Sequence, residues 1–290
     1  MSIPCYPDFA PIDITLQSAI QPMLFQLPDG VSEYTFANLY LFRKRYQYRC
    51  SKSGEAFVIS GEREGKRFFM TPGGVPEKDV LENLFETHAY WKGIPDSIEN
   101  IQGESLRAWG ITLVEDRDNF DYLYLRTDLA DLPGKKYHKK RNLVNVFLGA
   151  YSWEAYRLTQ DRVPDALIVL DRWRKDKGED GDYIAAQEAL DLSSDLGMEG
   201  KIYYIQGKPA GWCLGETLAQ GRMFALHFEK GIDEYKGIYQ FMNQNFAGSL
   251  GENITRINRE QDLGDEGLRQ AKMTYRPSGF VRKYLGYLKP

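Results

Sequence analysis

The sequence predicts an α+β fold built as two mixed-sheet halves in tandem. Three observations predict it. The order of segments in the first half (helices, hairpins, helix, strand, strand) returns in the second half. Turn signals such as Ser53-Gly54, Glu64-Gly65 and Gly207-Lys208 separate the strand candidates, as in antiparallel hairpins. Apolar residues make up 42% of the 290, enough for a sizeable core, and the 27% that are charged are mixed in sign, which argues against global disorder.

In the first half, Thr15 to Leu24 reads as a helix. Glu33 to Arg45 reads as a second, with Phe36, Leu39, Tyr40 and Arg43 at helical spacing. Short strands are predicted at Tyr46 to Cys50, Ala56 to Ser60 and Arg67 to Met70, the last stopped by Pro72-Gly73-Gly74. A helix from Glu77 to about Trp91 carries Val80, Leu81, Leu84, Phe85 and His88 on one face, and strands follow at Thr112 to Glu115 and Tyr122 to Arg126. A helix from Tyr137 to Ala150 has an apolar stripe of Leu143, Val144, Phe147, Leu148 and Tyr151. The expected organisation is a half over 1–130, a basic bridging helix within 131–151, and a second half over 152–290 that carries any chemistry.

The second half opens with helices at Pro164 to Lys175 and Tyr183 to Leu196. A three-stranded meander follows, Lys201 to Gln206, Ala210 to Leu218 and Arg222 to Glu229. Then come a helix at Gly237 to Leu250, a strand at Ile254 to Asn258, a helix at Glu266 to Tyr275 and a last strand at Phe280 to Leu285. No strict sequence repeat joins the halves, so a duplication has to be structural.

The net charge of −4 argues against a dedicated nucleic-acid binder, though a local basic patch remains compatible with it. Three scattered cysteines and three histidines make a zinc site unexpected, and no metal is predicted. The thiols read as reduced. Met1 to Phe9 lacks the pattern of a secretory leader, and no apolar run approaches the roughly 18 residues of a membrane helix, so a cytoplasmic location is expected. Many of the 19 tyrosines are expected to be core residues with a wet tip. A Gly-x-Ser-x-Gly elbow, a Walker loop and a Rossmann fingerprint are all missing, which leaves hydrolase, NTPase and dehydrogenase readings without a motif.

Three stretches carry a resemblance: Phe36-Ala-Asn-Leu-Tyr-Leu-Phe-Arg43, Gly134-Lys-Lys-Tyr-His-Lys-Lys-Arg-Asn142, and Asn258-Arg-Glu-Gln-Asp-Leu-Gly-Asp-Glu-Gly-Leu-Arg269 with Lys272 and Tyr275. Through them nearly the whole chain resembles the family of the phosphatidylglycerol lysyltransferase C-terminal domain, including its uncharacterised soluble bacterial members. The resemblance implies two GNAT-like (acyl-CoA N-acyltransferase type) halves. It also implies an acyltransferase whose co-substrate is aminoacyl-tRNA or acyl-CoA and whose acceptor is a small molecule, a peptide or a lipid headgroup. The membrane relatives act on lipid. The sequence leaves open a third reading, a binding protein that keeps the fold without the chemistry, and it does not fix the oligomeric state.

Candidate residues follow from that frame. In GNAT-like folds the donor phosphates meet the turn before the helix that follows the meander, here Glu229 to Tyr239. Lys230, Lys236 and Gly237 are the candidate donor-phosphate residues. Glu234 and Tyr239 stand where an acetyl-CoA turn has a Gln or Arg and a small residue, which disfavours that donor; the alternative is an ordinary helix start. Asn258, at a strand's C-terminal end, is a candidate oxyanion donor, Glu260 a candidate base and Tyr275 a candidate acid toward the leaving group, the alternative for Tyr275 being a core tyrosine. Asp262, Arg269 and Lys272 are candidate substrate contacts. The alternative there is a structural loop in which Asp265 caps the helix and Asp262 pairs with Arg269. Lys135 to Arg141 holds five cations in seven residues, and Lys139, Lys140 and Arg141 are candidate contacts for a tRNA acceptor end; the alternative is a solvated helix face. His227 reads as a structural strand histidine facing the same side as Ala225 and Glu229, and His88 carries less weight still. The donor is expected in a groove between the halves.

Overall fold

The computed structural model describes residues 3–54, 56–178 and 181–289; Met1 and Ser2, the start of the stretch read for a leader, lie outside it. The first half begins with β1 (Ala10–Pro11), α1 (Gln17–Phe25), α2 (Phe36–Leu41) and α3 (Arg43–Tyr46). The meander β2 (Arg49–Ser53), β3 (Ala56–Arg63) and β4 (Lys66–Met70) follows, then α4 (Lys78–Thr87), β5 (Tyr90–Pro95), α5 (Asp96–Ala108), β6 (Ile111–Glu115), β7 (Asp121–Leu125) and α6 (Arg126–Asp131). The basic helix is α7 (His138–Ala150). After it come β8 (Trp153–Arg157), α8 (Val163–Lys177), α9 (Tyr183–Asp191), and the meander β9 (Glu199–Ile205), β10 (Lys208–Leu218) and β11 (Met223–Gly231). The last elements are α10 (Ile238–Ser249), β12 (Arg256–Asn258), α11 (Glu266–Met273), β13 (Gly279–Val281) and β14 (Lys283–Leu288).

Over the described residues the strands form two seven-stranded sheets, ordered β1-β2-β3-β4-β5-β14-β6 and β13-β7-β12-β11-β10-β9-β8. Each contains an antiparallel meander whose third strand takes a parallel neighbour after a crossover helix: β5 beside β4 through α4, and β12 beside β11 through α10. The duplication is therefore structural. Local chemistry supports the elements. Glu64 and Gly65 both take positive φ, 54° and 73°, which closes the tight β3–β4 turn. Thr35 accepts the Asn38 N–H to start α2.

The two halves exchange strands. The stretch expected as one final strand breaks at Arg282: β13 stays at the edge of the second sheet, and β14 crosses to lie between β5 and β6 of the first. In the mirror arrangement β6 stays in the first sheet, and β7 crosses to lie between β12 and β13. The first residues of the two exchanged strands meet. Lys283 Nζ lies 2.7 Å from Asp121 Oδ1, and both side chains are fully buried. Glu33 takes the same ammonium, and Lys92 stands 3.5 Å from Glu33. Ser32 donates its N–H and its hydroxyl to Asp121, each at 2.9 Å. Buried charges remain ionised only when paired and hydrogen-bonded in this way. The expected boundary at 131–151 is thus crossed by a strand in each direction.

Helix α7 is part of the second half's core. Phe147 stacks on Phe241 of α10 with ring centroids 4.4 Å apart, and Tyr137, Val144 and Phe147 are buried with Tyr203, Met242 and Tyr275. Among the described residues no helix is long and apolar enough to cross a membrane, and no three His, Cys, Asp or Glu side chains gather as metal ligands.

Candidate active site

Strands β11 and β12 run parallel only as far as Ala225, which lies opposite Asn258, and then they part. Two features drive them apart. The pairing of β11 with β10 slips between Leu214 and Gly215, so that Phe228 faces Leu214 and Leu226 faces Gly215, leaving His227 as the extra residue of a bulge. Beyond Asn258 the chain turns away, with the Asn258 Oδ1 accepting the Glu260 N–H at 2.7 Å and Glu260 at φ 55°.

The opening is bridged by side chains. On one side His227 Nδ1 lies 2.7 Å from Glu260 and Nε2 lies 3.0 Å from Glu216. Burial opposes a charge on this ring, but hydrogen bonds to Glu216 and Glu260 outweigh it and lift its pKa to about 10. It is an imidazolium clamp at neutral pH. On the other side Arg259 pairs with Glu229. The bulge thus separates His227 from Glu229, which simple alternation had put on one face.

The Glu229 side holds the more reactive set. Glu229 Oε2 takes Arg259, while its buried Oε1 has no hydrogen-bond partner among the described residues. Burial pushes the Glu229 carboxyl up, and Arg259 holds it down in part. The Arg259 guanidinium lies 5.2 Å from the centre of the Tyr275 ring, and burial raises the phenol's pKa to about 12, so it keeps its proton. Lys140, reaching over from α7, sets its ammonium 3.9 Å from the centre of the Tyr275 ring. Burial and then the Arg259 charge lower the Lys140 pKa to about 8. Glu229 also belongs to a cross-strand row with Cys213 and Lys201. The row leads to a cleft of about 370 Å³ lined by Ala130, Lys201, Phe241, Gln244 and Asn245.

The structure gives the other candidates protein partners. Asn258 is fully buried and donates its amide to the Gly30 carbonyl at 2.8 Å and to Asp121 at 3.0 Å, so it is committed to the interface of the halves rather than to an acyl oxygen. Asp262, also fully buried, accepts both Arg269 Nε and a terminal nitrogen at 2.9 Å, the Tyr122 hydroxyl at 2.6 Å and the Gly264 N–H at 2.9 Å. Although burial alone would raise its pKa, Arg269 and these donors hold the carboxyl far below the usual range. Arg269 is closed further by Asp118 at 2.7 Å. Asp265 caps α11 through the Leu268 N–H. Lys272 is folded back onto the carbonyls of Arg259, Glu260 and Gln261, and burial lowers its pKa to about 8. The Asp265 cap and the Asp262–Arg269 pair match the structural alternative, and Lys272 joins that loop.

The donor-phosphate turn is likewise filled. Lys230 is buried, 2.6 Å from Asp182 and 3.6 Å from the Trp173 ring centre. Gly237, at φ 91°, backs onto α7 so closely that an added Cβ would stand 2.3 Å from the Leu143 carbonyl oxygen. Tyr239 bonds both backbone groups of Gly231. Lys236 and Lys139 are exposed. Arg141 is spent on the carbonyls of Leu132 and Gly134, and Lys136 on Asp128. Beside Tyr34, Phe36 and Glu216, where the two halves meet, lies a cavity of about 10 Å³, at the lower limit for a single water.

Of the residues proposed from sequence, the structure brings Tyr275 and Lys140 together at the opening and places Glu260 on its far side. Glu229, Arg259 and Glu216 were not anticipated. The available signal was an acid at a core-facing place of an otherwise apolar strand, twice within the meander.

Two sheets of this order, each a meander with a crossover to a parallel neighbour, define a tandem GNAT-like fold. A solved tandem GNAT protein from the clavulanic acid biosynthesis pathway shares it, with a TM-score of 0.51 at 10% identity over 98% of this chain and 99% of that one. The chain belongs to the family described as phosphatidylglycerol lysyltransferase, C-terminal, which it matches over residues 25–287. It is similar to a crystal structure of a conserved protein of unknown function from Bacteroides thetaiotaomicron, with a TM-score of 0.89 at 30% identity over 97% of this chain and 99% of that one. It has the fold of L-PGS from Bacillus licheniformis, with a TM-score of 0.64 at 14% identity over 99% and 94% of the two chains. An uncharacterised protein of Mycoplasmoides gallisepticum is 23% identical over 199 residues, a stretch that spans 66% of this chain and 63% of that relative's own length.

Proposed function

We propose that this protein is an acyltransferase that moves an aminoacyl group from an activated ester, aminoacyl-tRNA, to an amine or hydroxyl acceptor by direct attack. The observation that carries this reading is the buried, unpartnered Oε1 of Glu229 beside Arg259 and Tyr275. A buried carboxylate oxygen without a donor is costly, and an aminoacyl group brings an ammonium that satisfies it. Lys140, with its pKa near 8, is neutral in part at physiological pH and can take the proton of the attacking nucleophile. Tyr275 keeps its proton and can donate it to the leaving ribose oxygen. Lys140 lies on the same helix as the exposed Lys139, and the exposed Lys135 stands in the turn just before it, which offers a phosphate backbone an approach to the cluster.

The blocked start of α10 and the Asp182-bound Lys230 weigh against acyl-CoA, the second donor read from the sequence. Incubation of the protein with labelled aminoacyl-tRNA and a panel of small amines, peptides and phosphatidylglycerol vesicles tests the proposal. Product formation that falls about 100-fold or more in Tyr275→Phe and Lys140→Met is expected. Charged tRNA left intact across the panel overturns it.

A further inference from the structure

A cavity in the first half lies far in sequence from the cluster above. It measures about 480 Å³ and is lined by Tyr6, Phe9, Arg49, Ser60, Glu62, Arg67, Thr87 and His88, among others. Strand register builds its floor. Ser60 faces Arg49 across β2–β3, Glu62 faces Arg67 across β3–β4, and alternation puts Ser60 and Glu62 on one side of β3. His88 follows the last turn of α4 and leans over that floor, and Tyr6 and Phe9 wall the side in an edge-to-face pair 6.0 Å apart.

Ser60 Oγ lies 2.8 Å from His88 Nε2. On the other side of the ring, Nδ1 lies 2.9 Å from the Leu84 carbonyl oxygen. A carbonyl only accepts, so Nδ1 carries the proton, and Nε2 is left with its lone pair toward the serine hydroxyl. A nucleophile, a base and a group that orients the base are thus present in order, within a cavity open to a small molecule. Two arginines against one glutamate give the lining a positive balance, and among the described residues Arg67 has no ion-pair partner.

We infer that Ser60 and His88 form a nucleophilic site, separate from the Glu229 cluster, at which Ser60 is acylated by a small ester bearing an anionic group. As the Ser60 Oγ–carbon bond forms, the hydroxyl proton passes to His88 Nε2. The ester C–O bond then breaks, and the departing oxygen takes that proton, leaving an acyl-serine and a free alcohol. Burial lowers the His88 pKa below its ordinary 6.5, with the Arg67 charge adding to this, so the base is neutral at pH 7. The charged groups around it are Arg49 on β2, Glu62 on β3 and Arg67 on β4, with Glu86 of α4 near the Tyr6 phenol.

The test uses the full chain with three probes: a fluorophosphonate, 4-nitrophenyl acetate, and 4-nitrophenyl hydrogen succinate. One adduct per chain, mapped to Ser60 by peptide mass spectrometry, is expected, with none in Ser60→Ala. His88→Gln should slow labelling about 100-fold. The rate should climb through the lowered His88 pKa and then level off by pH 7, whereas unassisted attack keeps rising with hydroxide. The succinate ester should outpace the acetate, and Arg67→Ala should remove that preference. Mapping of the adduct in the wild-type chain decides the matter even if a variant folds poorly. Absence of label at Ser60, or equal labelling of Ser60→Ala, overturns the site. A rate unchanged by His88→Gln in a folded variant overturns the dyad, and equal rates for the two esters overturn the anionic substrate class.

Discussion

Single residues carry most of what distinguishes this molecule from a generic α+β layer. The His227 imidazolium, held between Glu216 and Glu260, has a folded pKa of about 10 against an ordinary 6.5. Its contribution to stability is therefore complete below about pH 6.5 and is lost as the pH rises through about 10. The urea midpoint gap between wild type and His227→Gln should be widest near pH 6 and narrow steadily toward pH 10, read by tryptophan fluorescence. Arg259 is the counter-case. Removing it as Arg259→Met leaves the buried Glu229 carboxylate unpaired and should cost about 3 kcal/mol or more at neutral pH. The cost should shrink in acid, because burial already favours the protonated Glu229. Neither pair was legible in the sequence. His227 looks like a lone strand histidine until the bulge rotates its neighbours. Arg259 sits next to Asn258 in a run where five consecutive polar side chains compete for attention. What was legible was the region: Glu260, Tyr275 and Lys140 do surround the opening. Asp262 and Arg269 were correctly paired by the more conservative of the two readings, since a carboxylate and a guanidinium seven residues apart across a turn close on each other when buried.

At the level of elements, periodicity found many of the amphipathic pieces but missed the 13-residue helix α5 along with short strands. The meander β9–β10–β11 and the helices α7, α8 and α10 follow their turn signals and apolar stripes closely, whereas α9 ends at Asp191, short of the expected Leu196. The helix expected to run to about Trp91 overran the end of α4 and took in the first two residues of β5, Tyr90 and Trp91, which continue its apolar face. The edge strand β8, mostly exposed, has no apolar alternation to display. The split of the final strand at Arg282 was equally hidden, since both pieces are β-prone and only their partners differ. Gly237 shows how an element junction can decide a functional question. Its positive φ and its contact with the Leu143 carbonyl press α10 against α7, which covers the place where a donor phosphate was expected. Gly237→Ala should destabilise the protein by more than about 1 kcal/mol, through strain at φ 91° and displacement of α7, measured by urea unfolding. The same variant should shift the Lys140 pKa, because that lysine rides on α7.

The whole molecule is two copies of one layer plan laced together. Each sheet needs a strand from the other half, and the lacing point is the buried Lys283–Asp121 pair. A fragment of residues 1–130 lacks β14, which leaves β5 and β6 without their common neighbour. A fragment of residues 152–290 lacks β7, which leaves β12 and β13 apart. Neither fragment alone should show a cooperative urea transition, whereas the full chain should unfold in one step with circular dichroism and fluorescence coinciding. Fold class and duplication were legible because the element order repeats. The exchange was not, because sequence order carries no record of which sheet a strand joins.

The lacing also sets a schedule for synthesis. Nascent chains ordinarily complete their first domain while the second is still being made. Here a central strand of the first sheet is β14, so that sheet stays open until residue 288 has emerged from the ribosome. Until then the flanks of β5 and β6 are exposed to any passing strand, and a chaperone has its longest window on these earlier-made strands.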